Sequence, residues 1–263
     1  LAFVAYWMTV NGKQTITADE LNKSLIDARK EMPEILGYTK VSPVEFIKRV
    51  ESRSSLLILT GHKAMESGNL VGVYEFLHLS FQEYLTAKAV VKKFLPSSDI
   101  LRNAVDIVRP NLDSENWKEV IPLIAVLLER DSKPLFELLL YKSKEHIKIS
   151  DLEPINTMSH WLLGCCLANE IQVTPNLLEE GIDQYIFSQD ASHNQIIFNN
   201  KYGQIFRERA FKCLALDYND QTIFSVGTVV SEIMELDMDI ISEEFIKDKI
   251  WYMLQSEDMD QVL

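Results

Sequence analysis

Residues 56–94 carry the strongest fold signal of the sequence, LLILTGHKAMESGNLVGVYEFLHLSFQEYLTAKAVVKKF. Residues 56–60 are a short apolar run ending at a glycine, a pattern that predicts a β-strand. Residues 62–69 are polar and contain a further glycine, which predicts a turn. The side chains of residues 71–77 alternate in type closely enough to predict a second strand that pairs with the first. Residues 78–94 have the apolar periodicity of a helix. We therefore predict a β-hairpin followed directly by a helix.

The helix predicted over 78–94 contains an apolar stripe formed by Leu77, Phe81, Leu85 and Ala89, which we expect to face the core. His78 follows the second strand directly and stands at the start of this helix. Backbone amides and the positive end of the helix dipole favour anions at that position. From the residues alone, a buried or capping histidine is the main alternative to an anion-binding one.

Three helices are predicted before the hairpin. The first covers residues 1–10 and ends at Asn11-Gly12. The spacing of Thr17 and Glu20 is that of a capping box and predicts a helix from there to about residue 36. Ser42 followed by Pro43 predicts the start of a third helix, which continues to about residue 54. Three helices, a two-stranded wing and a further helix describe a winged-helix domain over residues 1–95.

The composition changes after Pro96. Residues 1–95 carry 12 Lys and Arg against 10 Asp and Glu, whereas residues 96–263 carry 14 against 29. We place a domain boundary there. The acidic part is predicted to be helical, with helices at 117–129, 135–141, 158–168, 177–187, 202–216, 223–236 and 245–254. The fold class is therefore mainly α, with a winged-helix domain at 1–95 and a HEAT-like helical domain at 96–263.

Composition excludes several classes of protein. The chain has 263 residues with a net charge of −13, and no apolar run is long enough to predict a membrane span. Three cysteines do not make a disulfide framework and favour a reducing, cytoplasmic location. The first residue is Leu1, and we interpret the sequence as a piece of a longer chain. Motifs for a P-loop, a dinucleotide fold, a nucleophile elbow and a zinc protease are not found, so we expect no enzyme activity from these residues.

A metal-dependent enzyme is one alternative. His160 lies near the adjacent Cys165 and Cys166, and zinc favours thiolates and imidazoles. Adjacent residues on a helix point about 100° apart, however, so we interpret both cysteines as buried core residues, together with Cys213. The acidic residues between 232 and 260 lack the spacing of a calcium loop and are interpreted as a solvated face.

A DNA-binding regulator with a helical ligand-binding domain is the other alternative. In a winged-helix protein the third helix, with Lys48, Arg49 and Arg53, would enter a groove of the duplex. Glu45 and Glu51 lie on the same helix, and duplex binding needs a concentrated basic surface. We therefore expect no nucleic-acid partner.

Residues 74–87, YEFLHLSFQEYLTA, closely resemble the Phe-x-His-x-Ser-Phe-Gln-Glu-Tyr-Leu-Ala-Ala signature of NACHT-type STAND NTPases, the group that contains NOD-like receptors and bacterial anti-phage sensors. Residues 51–57 resemble the Arg-Ser-Gly-Leu-Leu stretch that precedes the wing in that family, with Ser55 in place of the usual glycine. Residues 1–8 and 45–50 also fit, so that the resemblance covers about residues 1–95.

The resemblance implies specific roles. In that family the winged helix closes over the nucleotide site of a preceding NTPase domain, and the motif histidine, here His78, contacts the β-phosphate of ADP. Ser80, Phe81, Gln82, Glu83 and Tyr84 belong to the same signature. We interpret Phe81 as a packing residue, and Gln82 and Glu83 as interdomain or capping residues.

The resemblance also implies what surrounds this chain. ADP or ATP with magnesium would bind the parent protein, since these residues contain no P-loop. The helical domain would bind a protein trigger, and the activated parent would oligomerise. The predicted function is that of a non-catalytic regulatory and ligand-sensing part of a signalling NTPase in innate immunity or antiviral defence.

Overall fold

The computed structural model describes residues 1–32, 41–53, 56–65, 68–147, 158–188 and 192–214. The chain is mainly helical and contains one small antiparallel sheet. It divides into two compact units, Leu1–Leu138 and a second that begins at Leu139. The mainly α prediction is confirmed. The predicted domain boundary after residue 95 lies inside the first unit.

The first unit begins with helix α1, Ala2–Val10, which is almost entirely buried. Its chain turns at Gly12, whose φ of 62° suits a residue without Cβ. Helix α2, Ala18–Glu31, starts at the predicted capping box: Thr17 Oγ1 accepts from the Glu20 amide at 3.3 Å, and Glu20 accepts from the Thr17 amide at 3.0 Å. Helix α3, Pro43–Arg53, begins where the Glu45 amide donates to Ser42 Oγ. The predicted ends of the second and third helices, near residues 36 and 54, lie outside the described residues.

The sheet has three strands rather than the two predicted. Strand β1 is Thr15–Thr17, β2 is Leu57–Ala64 and β3 is Leu70–Phe76. Both pairings are antiparallel and β3 lies in the centre, giving the order β1-β3-β2. The predicted hairpin is confirmed as β2 and β3, but β2 continues through Ala64, so the turn predicted from residue 62 was wrong over residues 62–64. Strand β1 was not predicted, because three residues are too few to establish an alternating pattern.

One core joins the helices to the sheet in the first unit. It is formed by buried apolar side chains of α1 to α3 and of all three strands: Val4, Ala5, Met8, Ile16, Leu21, Leu25, Ile47, Leu57 and Phe76. Burying a side chain of this size contributes about 1.5–3 kcal/mol relative to leaving it exposed. The inner ends of β2 and β3 are thereby fixed to the helices, whereas the far half of β2 is exposed.

Helix α4, Leu79–Lys92, packs against α1, but its buried face differs from the predicted one. Leu77 is 42% exposed, while Gln82, Thr86, Ala87, Ala89 and Val90 are buried. The predicted stripe was therefore wrong at Leu77, which precedes the helix, and Phe81 and Leu85 are only partly buried. Two polar residues take the interior positions because they bind partners on α1 and on the turn that follows it.

The rest of the first unit is built from short helices. Helix α5 is Ala104–Val108 and helix α6 is Val120–Leu127; α6 packs against α4. The single helix predicted over 117–129 is instead a 3-10 turn at Glu115–Trp117 followed by α6. Helix α7, Lys133–Ile147, begins in the first unit and ends in the second.

The second unit contains helices α8, Met158–Ala168, α9, Pro175–Ile186, α10, Asn194–Asn199, and α11, Gly203–Leu214. Its interior contains Leu162, Leu163, Ile182, Tyr185, Ile186 and Phe206. Arg209 on α11 binds Asp183 and Glu179 on α9 and so holds the two helices together. The helices predicted at 158–168 and 177–187 are confirmed, and α11 confirms the start of the helix predicted at 202–216. Those predicted at 223–236 and 245–254 lie outside the described residues.

Candidate functional site

His78 lies at the junction between β3 and α4, as the sequence predicts. It is the N-cap residue of α4, with extended backbone angles of φ −130° and ψ 139°. Its side chain is exposed and makes no capping hydrogen bond to the helix. The ring lies 5.6 Å from that of Phe81, centroid to centroid. The imidazole is therefore held near the helix N-terminus and can donate a hydrogen bond to a ligand.

The residues around His78 form an exposed surface, which we call the α4 N-terminal surface. It consists of Leu77, His78, Leu79, Ser80 and Tyr84, all of which are exposed. Leu77, Leu79 and Tyr84 are between 42% and 47% exposed, so that large apolar side chains in the first part of α4 and just before it are open to solvent. This surface combines one imidazole, one hydroxyl, a phenol and apolar contact area.

Gln82 lies on the opposite, buried face of the same helix. Its Nε2 donates to the Lys13 carbonyl oxygen at 2.9 Å and to Thr9 Oγ1 at 3.3 Å. Thr9 Oγ1 in turn lies 2.9 Å from Thr86 Oγ1. Gln82 thus connects α4 to α1 and to the turn after it. These hydrogen bonds lie within the first unit.

Glu83 lies between these two faces and is partly buried. Burial raises its pKa above the ordinary glutamate value, and the Glu119 carboxylate raises it further. Glu83 is therefore protonated more readily than a solvated glutamate. Phe81 packs at the edge of the core, in agreement with its predicted packing role.

A cleft of about 300 Å³ opens among α1 to α4, away from His78. Apolar side chains form most of its lining, and Arg29 and Lys88 are the basic residues in it. The Arg29 guanidinium already donates to the Val41 carbonyl oxygen. None of the signature residues that we predicted as site residues lines this cleft.

The structure places Cys165 beside His193, which the sequence did not indicate. Cys165 Sγ lies 3.2 Å from His193 Nε2, across 28 residues of sequence. All three cysteines are buried, as predicted. Among the described residues, no group of three or more His, Cys, Asp and Glu side chains is arranged to hold a metal ion. The sequence carried no signal for His193, because only the packing of α8 and α10 places it beside Cys165.

The basic residues predicted for a DNA-binding helix are only partly available. Lys48 and Arg49 are exposed on α3, but Arg49 Nε binds Glu45 Oε1 at 3.0 Å on the same helix. The side chain of Arg53 lies outside the described part of the structure.

No helix within the described residues has the length and apolar character needed to cross a membrane. The chain matches no known family model, no curated protein and no solved structure.

Proposed function

We propose that this chain is the winged-helix and helical sensor part of a NACHT-type signalling NTPase of the cytoplasm. The proposal rests on one observation above all: His78 stands exposed at the N-terminus of α4, with its imidazole available to an external ligand. In the resembled family the corresponding histidine contacts the β-phosphate of ADP. An exposed imidazole next to a helix N-terminus suits such a contact because both favour an anion.

The topology supports the winged-helix part of the proposal. The order helix, short strand, two helices and hairpin suits a winged helix, in which the hairpin of β2 and β3 would be the wing. The signature segment, residues 74–87, covers the end of this wing and the start of α4. Within this segment the residues of the α4 N-terminal surface are exposed, Gln82 and Thr86 are buried, and Phe81 and Glu83 are partly buried.

The apolar part of the α4 N-terminal surface fits a domain contact. Leu77 and Leu79 flank His78 in the chain, Tyr84 lies further along α4, and all three expose area that a neighbouring NTPase domain would cover. We propose that this surface closes over ADP, with magnesium supplied at the NTPase site of the parent. Release of the contact after a protein trigger binds the HEAT-like helices would then let the parent oligomerise.

The decisive experiment has two parts. First, the coding sequence upstream of Leu1 should contain a P-loop and an acidic strand that binds magnesium. Second, in the protein extended to its natural start, His78→Ala should release bound ADP faster than wild type. The matched control is His62→Ala, an exposed histidine on β2 away from the signature. Equal ADP release from both variants, or no P-loop upstream, overturns the proposal.

The DNA-binding alternative is favoured by the exposed Lys48 and Arg49 on α3. It predicts that the chain binds duplex DNA with an affinity that falls steeply with salt. Replacing Lys48 and Arg49 together by Ala should then abolish binding. A gel-shift titration of the wild-type chain that shows no salt-dependent complex excludes this function and leaves the NTPase proposal in place.

A further inference from the structure

Cys165 and His193 form a close thiol–imidazole pair in the second unit. The distance of 3.2 Å between Sγ and Nε2 is within hydrogen-bonding range for sulfur. A nucleophile and a base within hydrogen-bond reach is the arrangement that activates a cysteine, because the imidazole can take the thiol proton. The signature residues on α4 are not involved in it.

The imidazole is held in place from several directions. The backbone N–H of His193 donates to the Tyr185 hydroxyl at 3.1 Å. Its ring packs edge-on to Trp161, with 5.4 Å between centroids. A Cβ at Gly164 would lie 2.8 Å from His193 Nδ1 and 2.5 Å from a ring carbon of Tyr185. The close approach of His193 to α8 therefore requires a glycine next to Cys165.

The two other cysteines provide an internal contrast. Cys166 is fully buried, and burial raises its pKa to about 12. The pKa of Cys213 is also raised to about 12, first by burial and then by the neighbouring Asp183 carboxylate. Both thiols therefore stay protonated and unreactive near neutral pH. Cys165 is 6% exposed, more than the other two, and its Sγ lies beside an imidazole.

We propose that Cys165 is a modification site that hydrogen peroxide, or another small hydroperoxide, oxidises with His193 as the base. His193 Nε2 takes the thiol proton, and the thiolate sulfur attacks one peroxide oxygen. The S–O bond forms as the O–O bond breaks, so that sulfur is oxidised to a sulfenic acid and the peroxide is reduced. The leaving hydroxide, or the alkoxide when the oxidant is an organic hydroperoxide, takes the proton from His193 and departs as water or as an alcohol. This site is independent of the proposed NTPase function.

The test treats the whole chain with hydrogen peroxide in the presence of dimedone, which traps sulfenic acids, and maps the product by mass spectrometry. Fragmentation between Cys165 and Cys166 assigns the label. We expect Cys165 to be labelled at least about tenfold faster than Cys166 and Cys213, since base activation typically contributes at least that much. Equal labelling of the three cysteines overturns the proposal, and this comparison needs no variant.

The variant His193→Gln separates base catalysis from shielding. Loss of the base should slow labelling of Cys165 about tenfold or more and leave Cys166 unchanged. If His193 only covers the thiols, labelling of Cys165 and Cys166 will rise together, and the proposal fails. The matched control, His62→Gln on the exposed part of β2, should leave all three rates unchanged.

Discussion

Replacement of Gln82 by Met tests the polar contact that fixes the signature segment to α1. Met has nearly the same length as Gln and fills the same buried space, so that little cavity is created. The change removes two hydrogen bonds, from Nε2 to the Lys13 carbonyl oxygen and to Thr9 Oγ1. Thr9 and Thr86 can still bond to each other.

The magnitude follows from those two bonds. Each of the two hydrogen bonds, one buried and one partly buried, contributes about 0.5–1.5 kcal/mol net. We therefore expect Gln82→Met to lower the free energy of unfolding of the first unit by about 2 kcal/mol. That is a decrease of more than tenfold in its folding equilibrium constant.

The assay is urea unfolding followed by tryptophan fluorescence. Replacing Trp161 and Trp251 by Phe leaves Trp7 and Trp117, which report on the first unit. Gln14→Met is the matched control, because Gln14 is exposed in the same unit; we expect a change within about 0.5 kcal/mol. If the two variants lose the same stability, Gln82 does not hold α4 to α1.

Two further predictions concern the ends of helices. Burial would raise the pKa of Glu20, but hydrogen bonds from Lys13 and Thr17 outweigh it and hold the pKa below the ordinary value. Its contribution to stability is therefore present above the ordinary glutamate pKa and is lost as pH falls through the lowered value. Glu20→Gln should flatten the fall in the free energy of unfolding between about pH 5 and pH 3, measured by urea unfolding. Asp19→Asn on the same helix turn is the control. An unchanged pH profile in Glu20→Gln contradicts the capping role. Glu129 has a φ of 50°, a conformation that costs a residue with Cβ. Glu129→Gly should therefore raise the free energy of unfolding by about 0.5–1 kcal/mol. Arg130→Gly, at a neighbour with an ordinary φ, should lower it. Equal effects from both variants would show that the backbone of Glu129 is not strained.

The elements with strong local signals were predicted correctly from the sequence. The capping box at Thr17 and Glu20, the turn at Gly12 and the helix over 158–168 are set by residues close to one another in the chain. Strand β1 was missed because its three residues form a strand only by pairing with β3. Helices α5 and α10 were missed as well, since five and six residues are too few to reveal a periodicity.

The buried face of α4 shows a different limit. Apolar periodicity predicted that the buried face of α4 would contain Leu77, Phe81, Leu85 and Ala89. Polar residues are buried only where other elements supply hydrogen-bond partners, and periodicity does not show this. Gln82 and Thr86 are buried because Thr9 and the Lys13 carbonyl oxygen meet them from α1 and its following turn. His193 was missed for the same reason, since nothing near it in sequence indicates its contact with Cys165. The position of His78 was predicted correctly because a strand end and a helix start define it locally.

The division of the signature segment into two faces has a consequence for any functional test. Gln82 and Thr86 stabilise the first unit from within, whereas His78, Ser80 and Tyr84 face outward and can act only through something outside the fold. A substitution in the buried row lowers the unfolding free energy and can disturb the outer face indirectly. A substitution of His78 removes no hydrogen bond of the helix cap and should leave the unfolding free energy nearly unchanged. An effect of His78→Ala on nucleotide retention at unchanged stability would therefore identify the outer face as the functional one, and the same effect from Gln82→Met alone would assign the segment a structural role instead.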